Sequence, residues 1–221
     1  MTGHVFSFHN ADLVALSSGA LFWPDHALLV VSDLHFGKSA RLSSVGGAQL
    51  PPYETRETLQ RLETDLTQTE VRKVICLGDS FDAPEVETAL PEQDRLWITK
   101  LQAGRDWVWI EGNHDPGPVA LGGAHLAEHG IDALTFRHIA DPDQSGEVSG
   151  HYHPKARLSL RGQSLTRACF LVDQDRLILP AYGAYTGGLR SDSSTLCDLM
   201  RPDAQAILTG ATPCAIPMPR R

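Results

Sequence analysis

Four short stretches of this 221-residue chain set carboxylates, imidazoles and one amide close together: Asp33-Leu34-His35, Gly78-Asp79-Ser80-Phe81-Asp82, Gly112-Asn113-His114-Asp115 and Gly150-His151-Tyr152-His153. Oxygen and imidazole donors without thiolates suit hard or borderline divalent cations, so Mn²⁺, Fe or Zn²⁺ are expected rather than a cysteine-held structural zinc. On an extended segment, residues i and i+2 point the same way. Asp33 and His35 are therefore expected to reach one ion together, and His151 and His153 likewise. Asp-x-His alone would arise by chance in about one such chain in five. All four stretches together are expected in roughly one chain per million, so they are read as one constellation. Two neighbouring ions need a shared ligand, which the two oxygens of an Asp can supply. Such a pair provides hydroxide near neutral pH and clamps the attacking and leaving oxygens of phosphoryl transfer. The leaving group then needs a proton donor, a task suited to His. The implied chemistry is hydrolysis of a phosphate ester.

Each stretch follows a strand-like apolar run, Leu28–Ser32, Val71–Leu77, Trp107–Ile110 and Glu147–Ser149 respectively. Loops at strand ends are where functional groups are usually carried. Further strands are expected at Val5–Phe8, Leu13–Leu16 and Ala20–Trp23. A helix follows Pro51-Pro52, with Leu59, Leu62 and Leu66 on one face, and a second begins near Pro91. The second half reads as strands with few helical intervals: Ile131–Arg137, Ala156–Leu160, Ser164–Val172 and Arg176–Leu179. Alternating strands and helices followed by a run of strands predict a single α/β domain over 1–221 with two stacked mixed β-sheets.

Composition sets outer bounds. Hydrophobic residues make up 42% of the chain, ample for a core. A formal net charge of −8 argues against a broadly basic, DNA-coating surface, though not against a local groove. Cys76, Cys169, Cys197 and Cys214 show no paired spacing and are expected to be reduced. No Lys or Arg precedes Lys38, and the longest aliphatic stretch, Ala27–Val31, is far too short to span a membrane. A soluble cytoplasmic protein is expected.

The four motifs resemble the signature of calcineurin-like metallophosphoesterases. That resemblance implies a four-layer sandwich, two mixed sheets flanked by helices, with a dinuclear site at one edge. Carried over by motif, it implies that Asp33, His35 and His153 hold the first metal and that Asp79 bridges. Asn113 and His151 would hold the second metal. His114 would protonate the leaving oxygen, and Asp82 would orient or charge-stabilise His114. The family pattern also calls for one further His before the last motif. His138, at the end of the run Ile131–Arg137, is assigned to it. His125 and His129, four apart, compete, but they lie in Ala124–Gly130, read here as a short solvated helix.

A narrower resemblance adds Leu21-Phe22-Trp23-Pro24, Phe36-Gly37-Lys38, Leu50-Pro51-Pro52-Tyr53-Glu54-Thr55 and Pro180–Leu189. Together these are similar to the ligase-associated DNA damage response endonuclease (PdeM-like) family. That implies a metal-dependent phosphodiesterase, with Mn²⁺ the first choice of ion and DNA the substrate. It also implies functional association with a DNA ligase and a helicase. A small-molecule phosphodiesterase or phosphatase is the competing reading, and a non-catalytic scaffold of the same fold is a third. Lys38 and Arg41 are candidates for contact with substrate phosphate, or else an ordinary surface pair of charges. Tyr182 and Tyr185 are read first as core and turn residues and second as lining for a cleft. Lys155, Arg157, Arg161 and Arg167 form a weak candidate DNA surface.

Overall fold

Two β-sheets face each other across an apolar core, and helices cover their outer faces. The computed structural model describes residues 2–44, 46, 53–117, 120–160 and 163–220. Leu50, Pro51, Pro52 and Arg161, quoted above, lie outside the described residues. The first sheet runs in chain order: β1 (Gly3–Phe8), β2 (Ala11–Leu16), β3 (Leu21–Trp23), β4 (Leu28–Val31), β5 (Lys73–Leu77), β6 (Asp106–Ile110) and β7 (Ala124–Leu126). Strands β1 to β4 pair antiparallel, whereas β4, β5, β6 and β7 run parallel. The second sheet contains β8 (Glu128–Ile131), β9 (Leu134–Arg137), β10 (Glu147–Ser149), β11 (Lys155–Leu160), β12 (Gln163–Val172), β13 (Arg176–Ile178), β14 (Gln205–Leu208) and β15 (Cys214–Pro217). Its order is β15-β14-β12-β13-β10-β9-β8, with β11 joined to β12.

Strands buried on both faces read as continuous apolar runs, because alternate side chains enter different cores. In β4, Leu28 and Val30 face the second sheet, where they meet Phe136, Val148 and Phe170. Leu29 and Val31 point the other way, toward Leu59, Leu62 and Leu66 of α2 (Glu54–Thr69) and Ile98 and Leu101 of α4 (Glu92–Gln102). Each of those fully buried leucines contributes roughly 2 kcal/mol of transfer free energy, enough to fix α2 on the sheet. The second sheet's outer face packs Cys169, Leu171 and Ile178 against Leu196 and Met200 around α5 (Ser194–Leu199). The result is the expected helix–sheet–sheet–helix layering.

Short elements escape sequence reading: α1 (Lys38–Ser44), α3 (Val86–Ala89), α5, β14 and β15 carry too few turns or alternations to show a period. One expectation is overturned. Ala124–Gly130 is no helix: Ala124–Leu126 pairs parallel with β6, and Glu128–Ile131 forms a hairpin with β9. Sheet pairing has overridden a locally helix-like composition. The cysteines are free, with Cys76 and Cys169 buried. Among the described residues no helix is long and apolar enough to cross a membrane.

Candidate active site

Five strands end at one edge of the sandwich, and every motif begins where one of them stops. Asp33 and His35 follow β4, Asp79 and Asp82 follow β5, Asn113 and His114 follow β6, His138 follows β9, and His151 and His153 follow β10. Because β4, β5 and β6 are parallel, and β9 and β10 likewise, their carboxyl ends face the same crevice. This is the usual ligand position in such sheets.

The first two loops continue the strand pairing beyond the sheet. The Asp33 amide donates to the Gly78 carbonyl at 3.3 Å, and His35 donates to the Asp79 carbonyl at 2.9 Å. Beside them, the Tyr182 and Gly183 amides donate to the Ser32 and Asp33 carbonyls at 2.8 and 3.1 Å. These braces hold Asp33, His35, Asp79, His151 and His153 in the left-handed region, with φ between 46° and 69°. Several such non-glycine residues at one edge represent strain that the surrounding hydrogen bonds sustain. Gly78 has φ 70°, and a Cβ there would run into the His138 ring, so only glycine lets His138 approach.

The donors form two adjacent groups. Asp33, His35 and His153 have ligand atoms within 4.8 Å of one another, and so do Asp79, His138 and His151. A third such group, His35, Asp82 and His114, shares His35 with the first. In the second group, His138 Nδ1 lies 2.8 Å from the Leu77 carbonyl, which fixes the proton there. His138 Nε2 then faces Asn113 Oδ1 at 2.9 Å, His151 Nδ1 at 3.2 Å and Asp79 Oδ2 at 3.4 Å. One proton cannot satisfy that many lone pairs, whereas a cation can. In the first group, His153 Nε2 and Asp33 Oδ1 face each other at 2.9 Å without hydrogen-bond alignment, and the buried His35 Nε2 has no hydrogen-bond partner among the described residues. An ion could satisfy these atoms together, so a divalent cation fits here also.

The electrostatics agree. Burial alone would raise the Asp33 and Asp79 carboxyls, but the neighbouring imidazoles lower both, Asp79 to well below the usual carboxylate range. Burial would depress the His138 imidazolium, yet its bond to Asp79 and the Asp33 and Asp79 charges lift it to about 9. Positive charge is stabilised at the point where the lone pairs converge.

Two sequence-based expectations change. Strand alternation puts His151 and His153 on one ion, but they join different groups, the division that the family resemblance implies. Asp82 meets His114 through its backbone carbonyl, 2.9 Å from Nδ1. Its carboxylate, 1% exposed, instead contacts His35 Nδ1 at 3.0 Å, Lys38 Nζ at 3.8 Å and Arg41 Nε. The cationic end of α1 therefore turns toward Asp82 and is not a free surface pair. His125 and His129 sit on β7 and β8 and join no metal-capable group among the described residues.

Three positioning residues were not anticipated. Asp115 accepts from the Asp79 and Gly112 amides through Oδ1, at 2.9 and 3.1 Å, and from the Ser80 and Phe81 amides through Oδ2, at 2.7 and 3.1 Å. It thereby locks the β5 loop to the β6 loop. Burial, aided by the nearby Asp79 charge, outweighs those bonds and raises its carboxyl to about 6. Thr55 Oγ1 and Glu54 Oε1 accept from the Gly37 and Ser39 amides, at 2.9 and 3.1 Å, and so anchor α1 beside the site. Asp115 closes the third motif and Glu54-Thr55 belongs to the narrower resemblance, so both signals were present without an assigned role.

A family model described as calcineurin-like phosphoesterase matches residues 26–202. The chain belongs to the calcineurin-like phosphoesterase family. The crystal structure of the Pseudomonas putida nuclease MPE superposes on this family member with a TM-score of 0.72 and 26% identity, covering 96% of this chain and 100% of that one. That likeness is consistent with the narrower PdeM-like resemblance. An Arabidopsis thaliana protein named "Probable inactive purple acid phosphatase 14" is 29% identical over 91 residues, 40% of this chain. The chain matches 23% of that curated relative's length. Family membership and a donor set suited to divalent ions together support a metal-dependent phosphoesterase.

Proposed function

We propose that this chain is a two-metal phosphodiesterase acting on nucleic acid, DNA first, in the response to DNA damage. The convergence of five strand ends on two adjacent groups of oxygen and imidazole donors carries the hydrolytic part of this reading. In it, Asp33, His35 and His153 would hold one ion, and Asn113, His138 and His151 the other. Asp79, whose Oδ2 lies 3.4 Å from His138 Nε2 and 4.0 Å from His114 Nε2, would be the ligand they share. The bound ions, Mn²⁺ by preference with Fe or Zn²⁺ as alternatives, would activate water and stabilise the phosphoryl oxygens.

The chain's own groups do the rest. The Asp82 carbonyl accepts from His114 Nδ1 and so turns Nε2 toward the site, and in its imidazolium form the ring would hand the Nε2 proton to the leaving oxygen. The His114 side chain is 37% exposed, open enough to reach that oxygen. The Asp82 carboxylate orients His35. Lys38 and Arg41, with side chains 20% and 32% exposed, lean on Asp82 at the rim and would share their charge with an incoming phosphate.

The Pseudomonas putida relative is a nuclease that aligns along nearly the whole chain, which supports a nucleic-acid substrate here. Functional association with a DNA ligase and a helicase follows from the narrower resemblance. A cytoplasmic location accords with four free cysteines. The net charge of −8 favours a second reading, a small-molecule phosphodiesterase or phosphatase. Salt separates the two. For an oligonucleotide, the plot of log affinity against log salt is expected to fall with a slope of roughly −2, as two or three phosphates are contacted. A flat response would transfer the reading to a small substrate.

A further inference from the structure

Beside the His153 edge of the site lies a groove of about 240 Å³ that the hydrolytic roles leave unused. It opens between Glu57 and Arg61 on α2, Lys155 at the start of β11, and Tyr185, so that two cations face one carboxylate. Arg61 is committed to structure: it donates to the Tyr182 carbonyl at 2.8 Å and to Glu57 Oε1 at 3.2 Å, and stacks 5.5 Å from the Tyr182 ring centre. Lys155 and Tyr185 are different. Lys155 Nζ donates to the Thr186 carbonyl at 3.0 Å, a neutral partner, and among the described residues no carboxylate pairs with it, which leaves ammonium protons for a ligand. Tyr185 is 45% exposed, although Tyr182 and Ala184 beside it are buried. Its backbone lies at φ 59°, a conformation that non-glycine residues rarely adopt, and the residue lines the groove.

The opposite flank of the site has another character. The groove bordered by Asn113 and His138 is lined by Glu111 and Glu128 against a single Arg137. An anionic chain is disfavoured there and favoured on the Lys155 side. A cation and an exposed aromatic ring, both opening onto a groove that His153 also lines, suit one ligand chemistry: a phosphate joined to a planar base.

We propose that the Lys155–Tyr185 groove is a subsite for the nucleotide next to the scissile phosphodiester, with Lys155 facing that nucleotide's far phosphate and Tyr185 stacking on its base. The inference rests on the phosphodiesterase reading above and assigns the side from which the substrate is gripped. Leu and Gln are conservative replacements at the two positions, keeping bulk in the groove.

The test uses intact Mn²⁺-loaded protein and diesters with one leaving group: methyl p-nitrophenyl phosphate, thymidine 3′- and 5′-(p-nitrophenyl phosphate), and both thymidine esters phosphorylated at the remaining hydroxyl. Wild-type protein is expected to prefer a thymidine ester to the methyl ester, through KM, and to gain again from the added phosphate. Tyr185→Leu is expected to cut the thymidine-to-methyl preference about tenfold, again through KM. Lys155→Gln is expected to abolish the gain from the added phosphate. Such ratios cancel any general loss of folding or metal. Calorimetric binding of thymidine 3′,5′-bisphosphate reads the same groove without turnover and is expected to weaken at least about fivefold in each variant. Wild-type ratios and wild-type binding in both variants overturn the subsite. Failure of every diester to turn over, with binding still lost in the variants, overturns the phosphodiesterase reading and leaves the subsite standing.

Discussion

Asp79→Asn is expected to lower turnover of bis-p-nitrophenyl phosphate by about 10³-fold or more while the protein stays folded, a loss of roughly 4 kcal/mol of transition-state stabilisation. The substitution keeps the side chain's size and an oxygen able to accept from the His114 amide, now at 2.8 Å from Oδ1. What changes is the group opposite His138 Nε2, which becomes neutral and, in one orientation, a hydrogen donor. The charge that draws cations to the second donor group is removed, and no carboxylate remains to link it to the His114 side. Thermal unfolding should show a native-like transition. Titration calorimetry with Mn²⁺ should show weakened binding at both sites, since a shared ligand serves both. Retention of wild-type turnover would deny Asp79 any bridging role.

His138→Ala should act on one ion only. His138 contacts Asp79 and Asn113 but belongs to a different group from Asp33, His35 and His153. The variant is therefore expected to keep one divalent ion per chain, lose the other by about 10²-fold in affinity, and fall in turnover by at least the same factor. His129→Ala is the control. His129 lies on β8, paired with Phe136, and should retain both ions and full turnover. Metal counting by mass spectrometry distinguishes the cases. A mere folding defect in His138→Ala would lose both ions, and retention of both with full activity would remove His138 from the site.

Much of this arrangement was legible in the sequence because each motif is preceded by an apolar run short enough to be a buried strand. Val71–Leu77 announces β5, and Asp79 follows it. Leu59, Leu62 and Leu66 announce the buried face of α2. What was not legible depends on geometry that local pattern does not carry. Alternation alone put His151 and His153 on one ion, and only the family pattern, not the local spacing, divided them between two groups. Asp82 was expected to orient or charge-stabilise His114, and the sequence did not show that it engages that ring through its carbonyl and gives its carboxylate to His35, Lys38 and Arg41. Asp115 bonds four amides from two loops, a role visible only once β5 and β6 lie side by side. Ala124–Gly130 has helix-like composition, and only its tertiary partners β6 and β9 make it strand.

The most direct test of the central claim is hydrolysis of bis-p-nitrophenyl phosphate by metal-stripped protein as Mn²⁺ is titrated back, with bound ions counted in parallel. Turnover that is absent without metal and rises to a plateau at two ions per chain is the predicted result. No turnover with Mn²⁺ or any other divalent ion, at full occupancy, would contradict it.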